Sequence, residues 1–209
     1  MSRVAIIDYG LGNLQAVEKA LLKAGGDSTV FRCYEPDALR RADAVVLPGT
    51  GQLGACVDEL RRLGMAELLP ELLRKKPLLA INTGMHALGR AGLGLLDFDT
   101  RALNAHGTHD VRLPHVGWNR VHRSSNHALW EGIPQDAWFY FAHHARADAT
   151  DGKVIATTEH GEKFPVVLAA GRFVGVQFHP EISHDNGLRF LANFVNWDSG
   201  PDTTEEPDL

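Results

Sequence analysis

The chain has 209 residues, 44% of them hydrophobic, enough to bury the core of one large α/β domain. Its apolar runs are a few residues long, so none is suited to span a membrane, and the opening "MSRVAIIDYG" reads as a core strand rather than a signal peptide. A formal charge of -5, from 21 basic and 26 acidic residues with the basic ones scattered, argues against a nucleic-acid surface.

In chain order, "RVAIIDYG" is an apolar run closed by Gly10. "NLQAVEKALLKAG" follows, with Leu14, Val17, Leu21 and Leu22 at helical spacing and Gly25 and Gly26 at its end. "STVFR" is a second strand and "PDALRRA" a short helix. "AVVLPG" is a third strand, apolar throughout, and "ACVDELRRLGMAELLPELLRK" is helical. "PLLAIN" is the fourth strand and "GMHALGR" opens another helix. Strands apolar on both faces and alternating with helices predict a parallel sheet covered on each side. From about Val111 the texture changes to short strands with turns: "VRLP", "WNRVHR", "AWFYFAHHA", "KVIATTEH", "VVLAAG" and "FVGVQFH". These predict an added antiparallel layer, closed by the amphipathic helix "NGLRFLANFVNW". The expected organisation is one α/β domain over residues 1–197, with a mostly parallel central sheet flanked by helices, and an acidic disordered tail over 198–209. Removing that tail leaves 21 acidic against 21 basic residues, so the folded body is balanced. Cys33 and Cys56 have no metal-ligand spacing and are expected as free thiols of a cytoplasmic protein.

In an open parallel sheet, ligands bind beyond the carboxyl ends of the strands. Four stretches reach that edge: "DYGLGN", "LPGTGQLG", "INTGMH" and "QFHPEIS". The third is a strand breaking into a helix with small residues near its apex, the shape of a nucleophile elbow. The apex residue is Asn82. The glycine-rich "PGTGQLG" supplies backbone freedom for an oxyanion loop, and His179 with Glu181 supplies a base and its orienting carboxylate.

Together, "DYGLGNLQAV", "LPGTG", "PHVGWN", "FYFAHH", "ATTEHGEKFP" and "VGVQFHPEIS" resemble the glutaminase subunit of imidazole glycerol phosphate synthase. The likeness runs in order from Val4 to about Trp197. That subunit is a class I, triad-type glutamine amidotransferase. The resemblance implies a Cys-His-Glu triad that hydrolyses glutamine, no cofactor, and ammonia passed to a partner cyclase. The cyclase is a (β/α)8 barrel that makes an imidazole ring in histidine biosynthesis.

Carried over residue by residue, His179 and Glu181 match the family's base and acid. Pro48, Gly49 and Gly51 match the oxyanion loop, with Thr50 replacing a small apolar residue and Thr83 following the apex. Asn13 and Trp118 lie in segments that approach the barrel interface in the family. The nucleophile does not carry over: Gly-x-Cys-x-Gly is here Ala80-Ile81-Asn82-Thr83-Gly84. The family's glutamine-binding Gln is His86, and the loop after it is shortened to "ALGRAGLGLL". The family's "HSYY" is His143-His144-Ala145-Arg146. A carboxamide nitrogen is delocalised into its carbonyl and does not attack an amide at useful rates. Asn does tolerate positive φ, so Asn82 is expected to keep the turn while removing the chemistry.

Four coordinated departures predict a degenerate glutaminase, with a degraded pocket at His86, His143 and His144, docked in a heterodimer on a cyclase-like barrel. One alternative is an active or deliberately inactivated glutaminase. Another is a repurposed pocket in which His86, His143, His144 and His179 crowd near Glu181 and hold a metal or other ligand. No resident metal, nucleic-acid partner or membrane contact is expected.

Overall fold

A computed structural model describes residues 2–104, 111–149 and 151–198. The acidic tail predicted from residue 198 lies, but for Asp198, outside them. The first half alternates as expected: β1 (Arg3–Ile7), α1 (Leu14–Ala24), β2 (Thr29–Cys33), α2 (Pro36–Arg41), β3 (Ala44–Leu47), α3 (Leu53–Arg62), α4 (Met65–Lys75), β4 (Leu78–Ile81) and α5 (Thr83–Leu88). The helical stretch predicted after the third strand is two helices, because Gly64 takes a left-handed φ of 68° between them. The second half holds β5 (Asp99–Ala102), β6 (His115–Arg123), β7 (Ala137–His143), β8 (Ala145–Asp148), β9 (Val154–His160), β10 (Glu162–Ala170), β11 (Phe173–Val176) and α6 (His184–Val195). "VRLP", expected as a strand, is irregular. Pro114 has no N–H to give a ladder, which explains the strand beginning only at His115.

Nine strands form one sheet in the order β2-β1-β3-β4-β11-β10-β9-β6-β7, while β5 and β8 pair separately. The pairings from β2 through β11 are parallel, and those from β11 through β7 are antiparallel. Alternation along each parallel strand feeds two cores. Val4, Ile6, Val46, Leu79, Ile81, Val174 and Val176 face one side, where Val17 and Leu21 of α1 and Phe190 and Phe194 of α6 pack. Ala5, Ile7, Val45, Leu47, Leu78 and Ala80 face the other, beneath α2 to α5. This two-sided burial is why those strands read apolar at every position.

β4 lies between β3 and β11, inside the parallel half. The elbow after β4, the loop after β3 and the turn after β11 are therefore neighbours at one edge of the sheet, although the chain between them is long.

Candidate functional site

Asn82 sits between the last residue of β4 and the first of α5, at φ 50° and ψ -115°. Its N–H donates to Val176 O at 2.7 Å, and its carbonyl accepts from Met85 and His86. The backbone is thus fixed on both sides of the apex. Close packing beneath the turn demands glycine at two positions. A Cβ on Gly49 would meet Gly84 N at 2.0 Å, and one on Gly84 would meet Leu47 O at 2.3 Å. The predicted oxyanion loop and the elbow are pressed together backbone to backbone, and Thr83 Oγ1 donates to Gly51 O at 3.2 Å. Tyr9 completes this anchoring, its hydroxyl donating to Pro48 O at 2.6 Å. Thr50 lies on the same loop, half-buried.

The predicted base, His179, is held from the other side of β4. Just beyond β11, His179 donates its backbone N–H to Tyr140 O at 2.9 Å. A short 3-10 turn, Pro180–Ile182, then brings Glu181 back beneath the ring. His179 Nδ1 lies 2.8 Å from Glu181 Oε1, and the two side chains are 6% and 3% exposed. Asn82 Nδ2 lies 2.8 Å from His179 Nε2 and donates also to Ala142 O at 3.1 Å. An amide nitrogen only donates, so His179 Nε2 is the acceptor and Nδ1 carries the proton given to Glu181. The base and acid predicted from sequence therefore meet Asn82 as a Glu-His-Asn constellation.

The hydrogen bonds continue past the predicted residues. Gln177 Nε2 donates to Asn82 Oδ1 at 3.1 Å, and Gln177 Oε1 lies 2.9 Å from His86 Nε2. His86 Nδ1 lies 3.0 Å from Thr100 Oγ1. Since Gln177 Oε1 only accepts, His86 is protonated on Nε2, and its Nδ1 accepts from Thr100. One directed chain runs from Thr100 through His86, Gln177, Asn82 and His179 to Glu181. Gln177 is the residue of this network that sequence reasoning missed. The signal was present, a glutamine in the apolar run "VGVQFH", and it is fully buried. Thr100 carried no sequence signal.

Of the histidines that the repurposed-pocket reading gathered near Glu181, His179 bonds to it, while His86 and His143 have other partners. His143 Nδ1 donates to Ala145 O at 2.8 Å, and its Nε2 lies 2.8 Å from His115 Nδ1. His115 stacks between Phe141 and His160, at centroid distances of 4.7 and 4.1 Å. His144 is exposed. Among the described residues no group of three or more His, Cys, Asp or Glu is arranged to hold a metal ion. Burial lowers the pKa of His86 to about 4, that of His143 to about 4 and that of His115 to about 3. The first two are partly offset by hydrogen bonds to Gln177 and Ala145, and neighbouring imidazoles add to the lowering. These rings are neutral at pH 7.

His86, His143 and His144 do line one cavity of about 300 Å³ over the elbow, with Asn82, Thr83, Gly51, Leu53, Thr100, Pro114, Val116, Ala142 and Ala145. The loop after α5 folds straight back, with Leu95 and Leu96 donating to Leu88 O, and Arg90 pairs with Asp97 and Asp99. Neither thiol joins the site. Cys56 is buried, its Sγ donating to Tyr9 Oη at 3.3 Å, and burial raises its pKa to about 11; Cys33 is buried at the end of β2. Of the two predicted interface residues, Asn13 is exposed and caps α1, its Oδ1 accepting from Ala16 N–H. Trp118 is 41% exposed on β6 and stacks on His184 at 5.0 Å. No helix among the described residues is long and apolar enough to cross a membrane.

Comparison with known proteins agrees with this geometry. Residues 5–197 match the family model for class I glutamine amidotransferases. The imidazole glycerol phosphate synthase subunit HisH of Methylococcus capsulatus is 40% identical over 95% of this chain and 98% of its own length. The same subunit of Pseudomonas putida is 40% identical over 95% and 99%. Among solved structures, PurLQS from Thermotoga maritima superposes with a TM-score of 0.73 at 17% identity, covering 94% of this chain and 99% of that one. A glutamine amidotransferase from Thermotoga maritima gives 0.63 at 19% identity, covering 93% and 83%. These two likenesses speak for the fold. The chain belongs to the class I glutamine amidotransferase family, among the relatives named as HisH subunits of imidazole glycerol phosphate synthase, with asparagine at the apex of its elbow.

Proposed function

We propose that this chain is a glutaminase-type subunit that no longer hydrolyses glutamine and serves as the docking partner of a (β/α)8-barrel cyclase of the histidine pathway. The observation that carries the reading is Asn82, whose amide is committed on every side, to His179, Ala142 and Gln177. An amide nitrogen is no nucleophile, so the base at His179 has no group at the apex to activate against a substrate amide. The cavity adds a second reason. Among the described residues that line it there is no carboxylate, guanidinium or ammonium to pair with the two charged groups of an amino acid. Desolvating those groups without partners costs several kcal/mol, on the order of the whole affinity of a millimolar ligand.

Docking is supported by the outer face of the β6–β7 hairpin. Val116 pairs with Ala142, Trp118 with Tyr140, and Arg120 with Trp138. Val116, Trp118 and Trp138 are 57%, 41% and 47% exposed, and Ile182 adjoins at 42%. Contiguous exposed apolar surface of this kind marks an interaction site. Val116 and Ala142 also line the cavity, so the surface and the former reaction site are continuous.

The test is glutamate release from glutamine by the purified chain, on its own and with a barrel cyclase. The expected result is a stable complex, cyclase activity with ammonium salts, and no glutamate release above that of a His179→Ala control. Turnover that disappears in that control would overturn the proposal.

A further inference from the structure

We propose that Asn82 modifies itself: the backbone nitrogen of Thr83 displaces the side-chain nitrogen of Asn82 as ammonia, and the elbow residue becomes an acid.

The backbone sets up this reaction. Asn82 has φ 50° and ψ -115°, close to the roughly +60° and -120° of the first central residue of a type II′ turn. At that ψ in an L residue, the next residue's nitrogen eclipses Cβ about the Cα–C bond. That torsion is the one a five-membered ring through Cγ requires. Most asparagines must distort to reach it. Asn13 has ψ 64° and Asn196 has ψ 5°, which turn the following nitrogen away. The elbow imposes the reactive torsion as its resting state, because the turn must pass between β4 and the close contact of Gly49 with Gly84. Thr83 is the first residue of α5, so its N–H has no acceptor four residues back and is not held in the helix ladder.

The surrounding groups match the remaining needs of the step. Gln177 Nε2 donates to Oδ1 at 3.1 Å, where negative charge develops as the carboxamide is attacked. His179 Nε2 lies 2.8 Å from the leaving nitrogen, with Glu181 fixing its ring. Thr83 N forms a bond to Asn82 Cγ, and its proton passes to His179 Nε2. The Cγ–Nδ2 bond breaks, Nδ2 takes the proton from His179, and ammonia departs, leaving a cyclic imide. Water, admitted by the cavity that Asn82 and Thr83 line, opens the ring. Opening at Cγ gives aspartate, and opening at the main-chain carbonyl gives isoaspartate. The net change consumes one water, releases one ammonia per chain and exchanges an NH for an O. No oxidant or further reactant enters. The product places a second carboxylate against His179, opposite Glu181, and turns a neutral elbow into an anionic one.

The step shares with the proposed function only the premise that Asn82 attacks nothing, and the elbow's own mass is a readout independent of glutamine turnover and docking. The test follows the peptide containing Asn82 by mass spectrometry during incubation in oxygen-18 water at neutral pH. Native protein is compared with the same chain unfolded in urea, and the peptides containing Asn13 and Asn196 serve as internal references. The expected result is conversion at position 82 about 100-fold faster in the native chain than in the unfolded one, the scale of one placed acid–base group. A peptide already acidic in freshly purified protein would equally support the step. His179→Gln, checked for native circular dichroism, should lower the native rate toward the unfolded one. A native rate equal to or below the unfolded rate overturns the proposal, and an unchanged rate in His179→Gln overturns the role given to His179.

Discussion

Replacing Asn82 with alanine and, separately, with glycine isolates what the elbow residue does for the fold. Alanine removes both amide donors and the acceptor. Ala142 is exposed, so its carbonyl can turn to water, but Gln177 is fully buried and His179 is 5% exposed. Two buried polar groups lose their partner, each at about 1–3 kcal/mol, and the adjoining cavity lets water satisfy part of that demand. We therefore expect Asn82→Ala to cost about 2–3 kcal/mol, or roughly 4–12 °C in Tm for a chain of this size. Glycine loses the same hydrogen bonds but relieves the Cβ of a sparsely populated backbone region, a gain of about 1–3 kcal/mol. Against that stands the chain entropy of glycine, about 0.5–1 kcal/mol. Asn82→Gly should accordingly be the more stable of the two by about 1 kcal/mol, the reverse of the usual order. Urea unfolding with a common m-value measures both differences. If Asn82→Ala lies within about 0.5 kcal/mol of the parent, the network around the amide has no energetic content. If alanine equals or exceeds glycine, the strain assigned to φ 50° is wrong.

Stability should also fall with acidity in a defined window. His86 titrates near 6.5 when unfolded and near 4 when folded, so below about pH 6.5 the unfolded chain binds a proton that the folded chain refuses. The stability tied to its neutral ring is present above pH 6.5 and lost on descending to about pH 4, on the order of 3 kcal/mol, and His143 acts in the same direction. Urea midpoints at pH 7.5 and 5 should show the drop, and His86→Gln, which keeps a donor toward Gln177, should flatten it; an equal slope in that variant would refute the assignment. On the outer face of β6 and β7, Trp118→Glu should abolish co-purification with a barrel cyclase while shifting Tm by less than about 3 °C, because the residue is 41% exposed. Retained binding would move the docking surface elsewhere.

Much of the candidate site was legible in the sequence because its parts are local. A strand, a break and a helix name the elbow within a dozen residues, and His179 and Glu181 stand two apart, so one turn joins them. The Gln177 link was not legible, since Asn82 meets it across 95 positions and meets His179 across 97. The histidines give the same lesson. Sequence proximity put His143 beside His144, but alternation along β7 turns His143, its last residue, inward to His115, while His144 just past the strand is exposed at the cavity.

Period and composition by themselves determined the layered α/β fold and the strand-break-helix of the elbow, because each is written in the side-chain pattern of a single short stretch, whereas the expectation of a cysteine where Asn82 stands came from the family resemblance. Tertiary structure alone decided which polar atoms share a proton. The order β3-β4-β11 brings three distant loops to one edge, and there every buried donor must find an acceptor. That requirement turned Asn82 from an apparent vacancy in a triad into the midpoint of a hydrogen-bonded chain from Thr100 to Glu181.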